Sequence, residues 1–246
     1  MKTTQLCILT GASRGLGAAL AEQSLRPGAR LLCLSRREHP TLAALAAAAG
    51  AQAEQWAVDL AEPAPVAARL EAWLAGLDDS AFASATLINN AATLPRVGPL
   101  EDSEAGELAR TLRVGLEAPL LLSAAFLRAT RAWSADRRIL NISSGLGRRA
   151  MAGSTAYCAI KAGLDHASRA MALDGARVVS LAPGVIDTDM QVHLRDSDPR
   201  GFPDHARFVA LKADGQLDTP AQAAARVLAF LARPDFGREP VADVRT

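Results

Sequence analysis

The chain has 246 residues, half of them hydrophobic and only 4% aromatic, with a net charge of +1 at pH 7. Half apolar content argues against a disordered chain, and mixed charges near balance argue against a nucleic-acid or anionic-membrane partner. A chain of this length buries about three quarters of its unfolded surface, so it needs neither disulfides nor a structural metal to hold a core.

In chain order, Gln5–Thr10 (QLCILT) reads as a buried strand and Gly15–Leu25 as a helix. Arg30–Ser35 (RLLCLS) is a second strand, Thr41–Ala49 an alanine-rich helix ended by Gly50, and Ala53–Val58 a weaker third strand. Pro63–Leu74 reads as a helix, since Pro63 and Pro65 are tolerated only in its first turn. Thr86–Asn89 is a very short fourth strand, and Glu101–Arg131 a long helix with a bend near Pro119. Arg138–Ile142 is a fifth strand, Thr155–Leu173 a helix, and Arg177–Ala182 a sixth strand. Thr188–Asp218, rich in Asp, Pro, Gly and His, reads as an irregular excursion. Thr219–Ala232 opens with Thr-Pro as helices do, and Pro240–Val244 adds an edge strand.

Near-continuous apolar strands separated by helices imply a parallel sheet covered on both faces, with right-handed crossovers. The expected fold is α/β: one Rossmann-type, doubly wound parallel sheet of about seven strands, forming a single domain over 1–246. There is no linker and no solenoid repeat. The cysteines Cys7, Cys33 and Cys158 form no C-x-x-C pair, and two of them sit in apolar runs, so buried reduced thiols are expected. No cleavable signal pattern and no bilayer-length apolar stretch appear, which predicts a cytoplasmic protein.

The turn after the first strand reads TGASRGLG, Thr10–Gly17. Gly11 would allow the tight turn, and Gly15 and Gly17 would let backbone approach a pyrophosphate at the helix N-terminus. A glycine triplet alone is also compatible with an unliganded turn; its position at the first strand–helix junction favours a dinucleotide. Ser13, Arg14 and Leu16 lie in the same turn. After the second strand come Ser35, Arg36 and Arg37, where NAD-binding folds usually carry an acidic residue. Arginine there suits a 2′-phosphate, so NADP(H) is the expected cofactor, with Arg14 as a further partner. Asp59, beside Leu60, is either an adenine contact or a helix N-cap.

Tyr157, the only tyrosine, and Lys161 are four apart on one predicted helix and so share a face. A phenol with an ordinary pKa near 10 is a poor acid at neutral pH; a nearby ammonium, together with a positive nicotinamide, would lower that value. Tyr157 could then protonate a carbonyl oxygen, Ser144 could hydrogen-bond the same oxygen, and Lys161 could also hold the nicotinamide ribose. By itself Tyr-x-x-x-Lys also fits an ordinary amphipathic helix.

Taken together, these motifs resemble the short-chain dehydrogenase/reductase family over nearly the whole chain. Its TGxxxGxG corresponds to Thr10–Gly17, its N-N-A-G to Asn89-Asn90-Ala91-Ala92, its Ser…Tyr-x-x-x-Lys to Ser144, Tyr157 and Lys161, and its P-G to Pro183-Gly184. The resemblance implies that Asn89, Asn90 and Ala91 line the cofactor. It also implies that Pro183, Gly184, Val185, Ile186 and Thr188 pass the nicotinamide carboxamide. APGVIDTDMQ followed by RFVALKADGQLDTP looks most like the sepiapterin and benzil reductase branch, which reduces ketones of vicinal dicarbonyls with NADPH. One departure stands out: the family's usual catalytic asparagine in the long central helix aligns with Gly115.

Leu146, Met151, Met190, Phe202 and Phe208 are candidates for an apolar substrate pocket, with about 188–218 as a lid; each is equally compatible with local packing. His193 and His205 lack a carboxylate pattern, so no metal is expected. The expected function is NADPH-dependent reduction of a ketone or vicinal dicarbonyl, a small-molecule carbonyl substrate. The alternatives are an alcohol or hydroxysteroid-type dehydrogenase of the same family, and an NADP-binding sensor or scaffold with little turnover, which Gly115 favours and the intact Ser–Tyr–Lys set opposes. The resemblance also implies a homodimer or homotetramer packed through Glu101–Arg131 and Thr155–Leu173.

Overall fold

A computed structural model describes residues 4–245. Seven strands form one sheet: β1 (Thr4–Thr10), β2 (Arg30–Ser35), β3 (Gln52–Ala57), β4 (Phe82–Asn89), β5 (Asp136–Ile142), β6 (Val178–Ala182) and β7 (Val241–Asp243). Their order is β3-β2-β1-β4-β5-β6-β7, and every pairing is parallel. The chain winds outward from β1 to β3, then returns to pair β4 against the other side of β1. That reversal leaves a crevice beyond the carboxyl ends of β1 and β4, where ligands bind in doubly wound sheets.

Alternate side chains of the central strands feed two cores, as the pleat requires. Leu6, Ile8, Leu32, Leu34 and Leu87 face α3 (Pro63–Ala75) and α5 (Ala118–Ala129) through Leu70, Leu74, Leu122 and Phe126. Leu9, Leu31, Ile88 and Val179 face α1 (Gly15–Ser24) and α9 (Pro220–Leu231) through Leu16, Leu20, Ala224 and Val227. α2 (Leu42–Ala48) packs beside α1. The Thr-Pro opening of α9 forms a capping box: Thr219 Oγ1 accepts from the Gln222 N–H, and Gln222 Oε1 accepts from the Thr219 N–H.

Three expectations need correction. β4 begins four residues earlier, at Phe82. The long central helix begins at Ala105, not Glu101, and the irregularity expected near Pro119 is a π-helical turn, Arg113–Glu117, that joins α4 (Ala105–Leu112) to α5. A proline cannot supply the helical N–H, and a π-bulge is one of the few ways a helix absorbs such a break. The excursion 188–218 is not irregular throughout; it carries α7 (Asp189–Arg195) and α8 (His205–Ala213). The Asp, Pro and Gly between them mask two short helices whose apolar residues cap a small satellite core of Val97, Leu194 and Phe202.

Among the described residues no helix is long and apolar enough to cross a membrane. The cysteines are unpaired, and burial pushes the Cys7 and Cys33 thiols up to about 12.

Candidate active site

The crevice is a cleft of about 760 Å³ running from the glycine turn to the satellite core. Its rear wall is tied together by one side chain: Thr10 Oγ1, at the end of β1, accepts the Asn90 and Ala91 N–H groups at 2.9 Å each. The Asn90 amide returns bonds to the Thr10 and Gly11 carbonyls at 2.9 and 3.2 Å. Gly11 has φ +72°, and a Cβ on Gly17 would lie 1.9 Å from the Gly11 carbonyl oxygen, so no side chain fits there. The α1 N-terminus opens on the cleft without a side-chain cap and without an acidic residue in its first turn. Free N–H groups, a positive dipole end and a backbone with no side chains in the way fit a pyrophosphate.

At the far end Ser35 anchors the turn, its Oγ accepting the Ala12 N–H at 2.8 Å. Arg36 and Arg37 are exposed and line the cleft. Asp59 lines it too, but its carboxylate is already engaged. It accepts the Ala61 N–H at 3.0 Å and both contacts of an Arg110 guanidinium at 3.0 and 2.9 Å. The Ala61 N–H, then Arg110, with Arg36 nearby, hold it below the usual carboxylate range. Arg14 reaches across the cleft mouth to pair with Asp189 on α7. Asn89 does not reach the cleft. It lies beneath it, 3% exposed, with its amide donating to Asn141 Oδ1 at 2.8 Å and to Ser123 Oγ at 3.2 Å.

β5 and α6 (Thr155–Leu173) build the reactive end. Ser144 follows β5 and caps a single 3-10 turn, Gly145–Gly147, through the Leu146 N–H. One helical turn separates Tyr157 from Lys161, so both face the strand end. The Tyr157 hydroxyl and Ser144 meet at the cleft, where Ser144 is the neighbour that favours the ionised phenol. Lys161 Nζ, 5.4 Å from the tyrosine ring centroid, donates to the Ile142 carbonyl at 2.7 Å. Burial pushes the Tyr157 phenol up to about 12, against the pull of Ser144. Burial also lowers the Lys161 ammonium to about 8, with Asp165 acting in the opposite sense. The sequence suggested a phenol lowered by lysine and nicotinamide. In the protein without a nicotinamide, burial is the largest influence on the phenol, and the Lys161 ammonium is turned toward the Ile142 carbonyl. At neutral pH the phenol therefore holds its proton.

Pro183, Gly184, Val185, Ile186 and Thr188 line the cleft opposite this group. Leu146, Met151, Met190 and Phe208 line its apolar end, together with Leu94 and Leu194. Phe202 does not: fully buried, it packs under Phe208 with ring centroids 5.4 Å apart. His193 and His205 bond backbone carbonyls of Pro95 and Arg195 at 3.2 and 2.7 Å.

Gly115 sits inside the π-helical turn, against α6. A Cβ there would come 2.8 Å from Cγ2 and 3.0 Å from Cδ1 of Ile160, the residue before Lys161. The isoleucine thus occupies the space that a side chain at 115 would need.

Two contributors escape a motif reading. Arg110 is 51 residues from its partner Asp59, with no local signal. Asp165 did have one, since it continues the Tyr157–Lys161 spacing by four residues.

A family model described as short chain dehydrogenase matches residues 5–199. A benzil reductase ((S)-benzoin forming) of Bacillus cereus is 32% identical over 235 residues, covering 93% of this chain and 94% of that protein. Sepiapterin reductase of Mus musculus is 33% identical over 246 residues, with 94% and 93% covered. Among solved structures, a short-chain dehydrogenase/reductase from Burkholderia vietnamiensis is 36% identical with a TM-score of 0.63, covering 99% of each chain. With the glycine turn, the parallel sheet and this match over most of its length, the chain belongs to the short-chain dehydrogenase/reductase family, on the side of its benzil and sepiapterin reductases.

Proposed function

We propose that the protein is an NADPH-dependent carbonyl reductase acting on a ketone or vicinal dicarbonyl. The observation that carries this reading is the convergence of Ser144, Tyr157 and Lys161 at the cleft, with the phenol neutral. A bound nicotinamide dinucleotide supplies the hydride. Tyr157 gives its hydroxyl proton to the carbonyl oxygen of the substrate, and the O–H bond of the phenol breaks as that of the alcohol forms. The Ser144 hydroxyl donates to the same oxygen and stabilises the charge that gathers there. Lys161 lends a buried positive charge that eases loss of the phenolic proton.

The NADPH preference rests on Arg36 and Arg37 at the cleft, where the Asp59 carboxylate is already engaged by Arg110 and the Ala61 N–H. The dicarbonyl preference rests on the likeness to benzil and sepiapterin reductases and on the apolar end of the cleft. The segment 188–218 acts as the lid of that end. Self-association runs through α5 and α6, whose ends expose Leu120 and Leu173. A second reading, a dinucleotide-binding protein with little turnover, is favoured by Gly115 alone.

The deciding experiment follows NADPH oxidation with benzil, other 1,2-diketones and sepiapterin, comparing wild type with Tyr157→Phe. General acid catalysis contributes about 10²- to 10⁴-fold, so Tyr157→Phe should lose about that much in kcat. Unchanged turnover in the variant would refute the tyrosine mechanism. Dinucleotide binding with no turnover of any carbonyl would favour the second reading.

A further inference from the structure

We propose that Asp165 is a positioning residue of this site: its carboxylate fixes the strand end that presents Ser144 and is the counter-ion of Lys161. The proposal rests on the reading of Ser144, Tyr157 and Lys161 as the reactive group.

Three residues at successive turns of one α6 face meet three successive residues at the β5 end. Tyr157 meets Ser144 at the cleft, and Lys161 donates to the Ile142 carbonyl at 2.7 Å. Between them, Ser143 donates its hydroxyl to Asp165 Oδ1 at 2.6 Å. The same oxygen accepts the Ser180 hydroxyl of β6 at 2.7 Å, so the carboxylate pins both strands against the helix. Ser143 is further fixed by its N–H bond to the Leu181 carbonyl at 2.8 Å. Ser144 therefore starts from a residue held on two sides, which limits how far its hydroxyl can wander from Tyr157.

Holding two hydroxyls does not require a charge, because a neutral amide oxygen accepts them as well. Yet Asp165 is 1% exposed, and its Oδ2 is buried without a hydrogen-bond partner. Burying a carboxylate is expensive unless cations answer it. Arg148 brings Nε to 3.9 Å of Oδ2, and Lys161, whose ammonium bonds the Ile142 carbonyl, lies one turn away on the same face. Arg148 also reaches the Ser144 and Ala242 carbonyls, at 3.5 and 3.2 Å, and so ties the serine loop to β7. Gly147 leaves the space this arrangement needs, since a Cβ there would come within 2.6 Å of Oδ2. The other titratable groups around the pair are Tyr157 and Cys158 on α6 and, beyond Arg148, Asp243 of β7. β6 presents the Ser180 hydroxyl, and the π-helical turn presents Gly115 against Ile160. Asp165 is thus the acidic group positioned to keep Lys161 protonated, and it opposes the burial that lowers that ammonium to about 8.

The chain has three lysines, Lys2, Lys161 and Lys212, so lysine labelled at Cε gives few enough resonances to follow Lys161 by NMR without any turnover. In Asp165→Asn the Lys161 titration midpoint should fall by at least about half a pH unit. The alkaline limb of kcat/KM for a reduced diketone should fall with it, while the KM for NADPH stays within about twofold. Ser143→Ala keeps the charge but cuts the tie, and should lower kcat without moving the Lys161 midpoint. A folded Asp165→Asn whose Lys161 midpoint is that of wild type overturns the proposal. If Asp165→Asn does not fold, Arg148→Gln replaces it: removing that cation should raise the Lys161 midpoint, and an unmoved midpoint is equally fatal. Failure of the reductase reading shows separately, as absence of NADPH oxidation in wild type while the lysine shift persists.

Discussion

Gly115 and Ile160 form a matched pair across the helix packing beside Lys161, and their coupling can be measured. Carbon atoms pack at about 3.5–4.0 Å, so a Cβ 2.8 Å from Ile160 Cγ2 overlaps by roughly 1 Å. Cγ2 is a branch at Cβ and cannot swing away without turning the whole side chain, which α6 restricts. Overpacking of this kind costs about 1–3 kcal/mol. Against it, Gly→Ala in a helix interior gains about 1 kcal/mol of propensity. Gly115→Ala should therefore range from neutral to destabilised by about 2 kcal/mol, which for a chain this long lowers Tm by up to roughly 4–8 °C. Ile160→Ala removes a buried side chain, at about 2–5 kcal/mol, and with it the obstacle. In that background Gly115→Ala should turn stabilising by about 1 kcal/mol. The assay is urea unfolding of the four proteins at constant m-value, closed as a double-mutant cycle. The expected coupling is about 1–3 kcal/mol; a value below about 0.5 kcal/mol, the usual additivity error, would refute the packing argument. The same geometry predicts that Gly115→Asn alone destabilises the protein and does not raise activity, because Ile160 already fills the space an asparagine side chain needs.

Other predictions concern charge. The kcat/KM of carbonyl reduction should decline as pH rises through about 8, where Lys161 loses its proton while Tyr157, near 12, keeps its own. Oxidation of the product alcohol needs the phenol ionised, so its rate should climb with pH across the accessible range; a bell centred near 7 in both directions would contradict the assignment. Arg36→Ala should raise the KM for NADPH roughly 10-fold or more, from loss of a charge-assisted bond worth about 1.5–3 kcal/mol, and leave that for NADH within about twofold. Equal effects on the two cofactors, read by steady-state kinetics, would remove Arg36 from 2′-phosphate recognition.

The helix–strand alternation was legible because both faces of a parallel sheet are buried: RLLCLS reads as a strand and is one, Arg30–Ser35, residue for residue. The same holds for α6, whose ends at Thr155 and Leu173 match the expected ones. Two helices inside 188–218 were hidden because each is shorter than the window in which helical periodicity can accumulate, and turn residues surround both. The polar fate of Asn89 could not be read either: a motif gives its position, while Asn141 and Ser123, its partners, lie 52 and 34 residues away. Ser144, Tyr157 and Lys161 could be singled out by type and spacing, and the fold brings all three to one cleft. The direction of the Tyr157 shift was not, since it depends on how deeply the neighbouring helices bury the ring. Asp165 was within reach, being one more turn along a face the sequence had already marked.

Floor and lip of the cleft are held by different kinds of interaction, and this bears on which part moves. Beneath Ser144, Tyr157 and Lys161, the side chains of Asn89, Asn141, Ser168 and Asp165 are at most 3% exposed and bonded through β4, β5, β6 and α6. Buried amide and hydroxyl bonds are strong in their low-dielectric setting, and breaking one strands its partner. The lip is held by Arg14–Asp189 and Lys212–Asp187, pairs whose lysine and arginine side chains are more than half exposed. Exposed pairs contribute about 0–1 kcal/mol each and weaken with salt. Opening should therefore occur at 188–218, where Arg195, Arg200, Arg207 and Lys212 offer tryptic sites. Limited trypsinolysis followed by mass spectrometry should cut there first, faster at 0.5 M than at 0.05 M NaCl once trypsin's own salt dependence is calibrated on a denatured peptide. On the proposed function, saturating NADPH should slow it, because a dinucleotide lying along the cleft would tie the glycine turn to the lip. First cleavage within β4, β5 or α6 would mean that the floor, not the lip, is the part that yields.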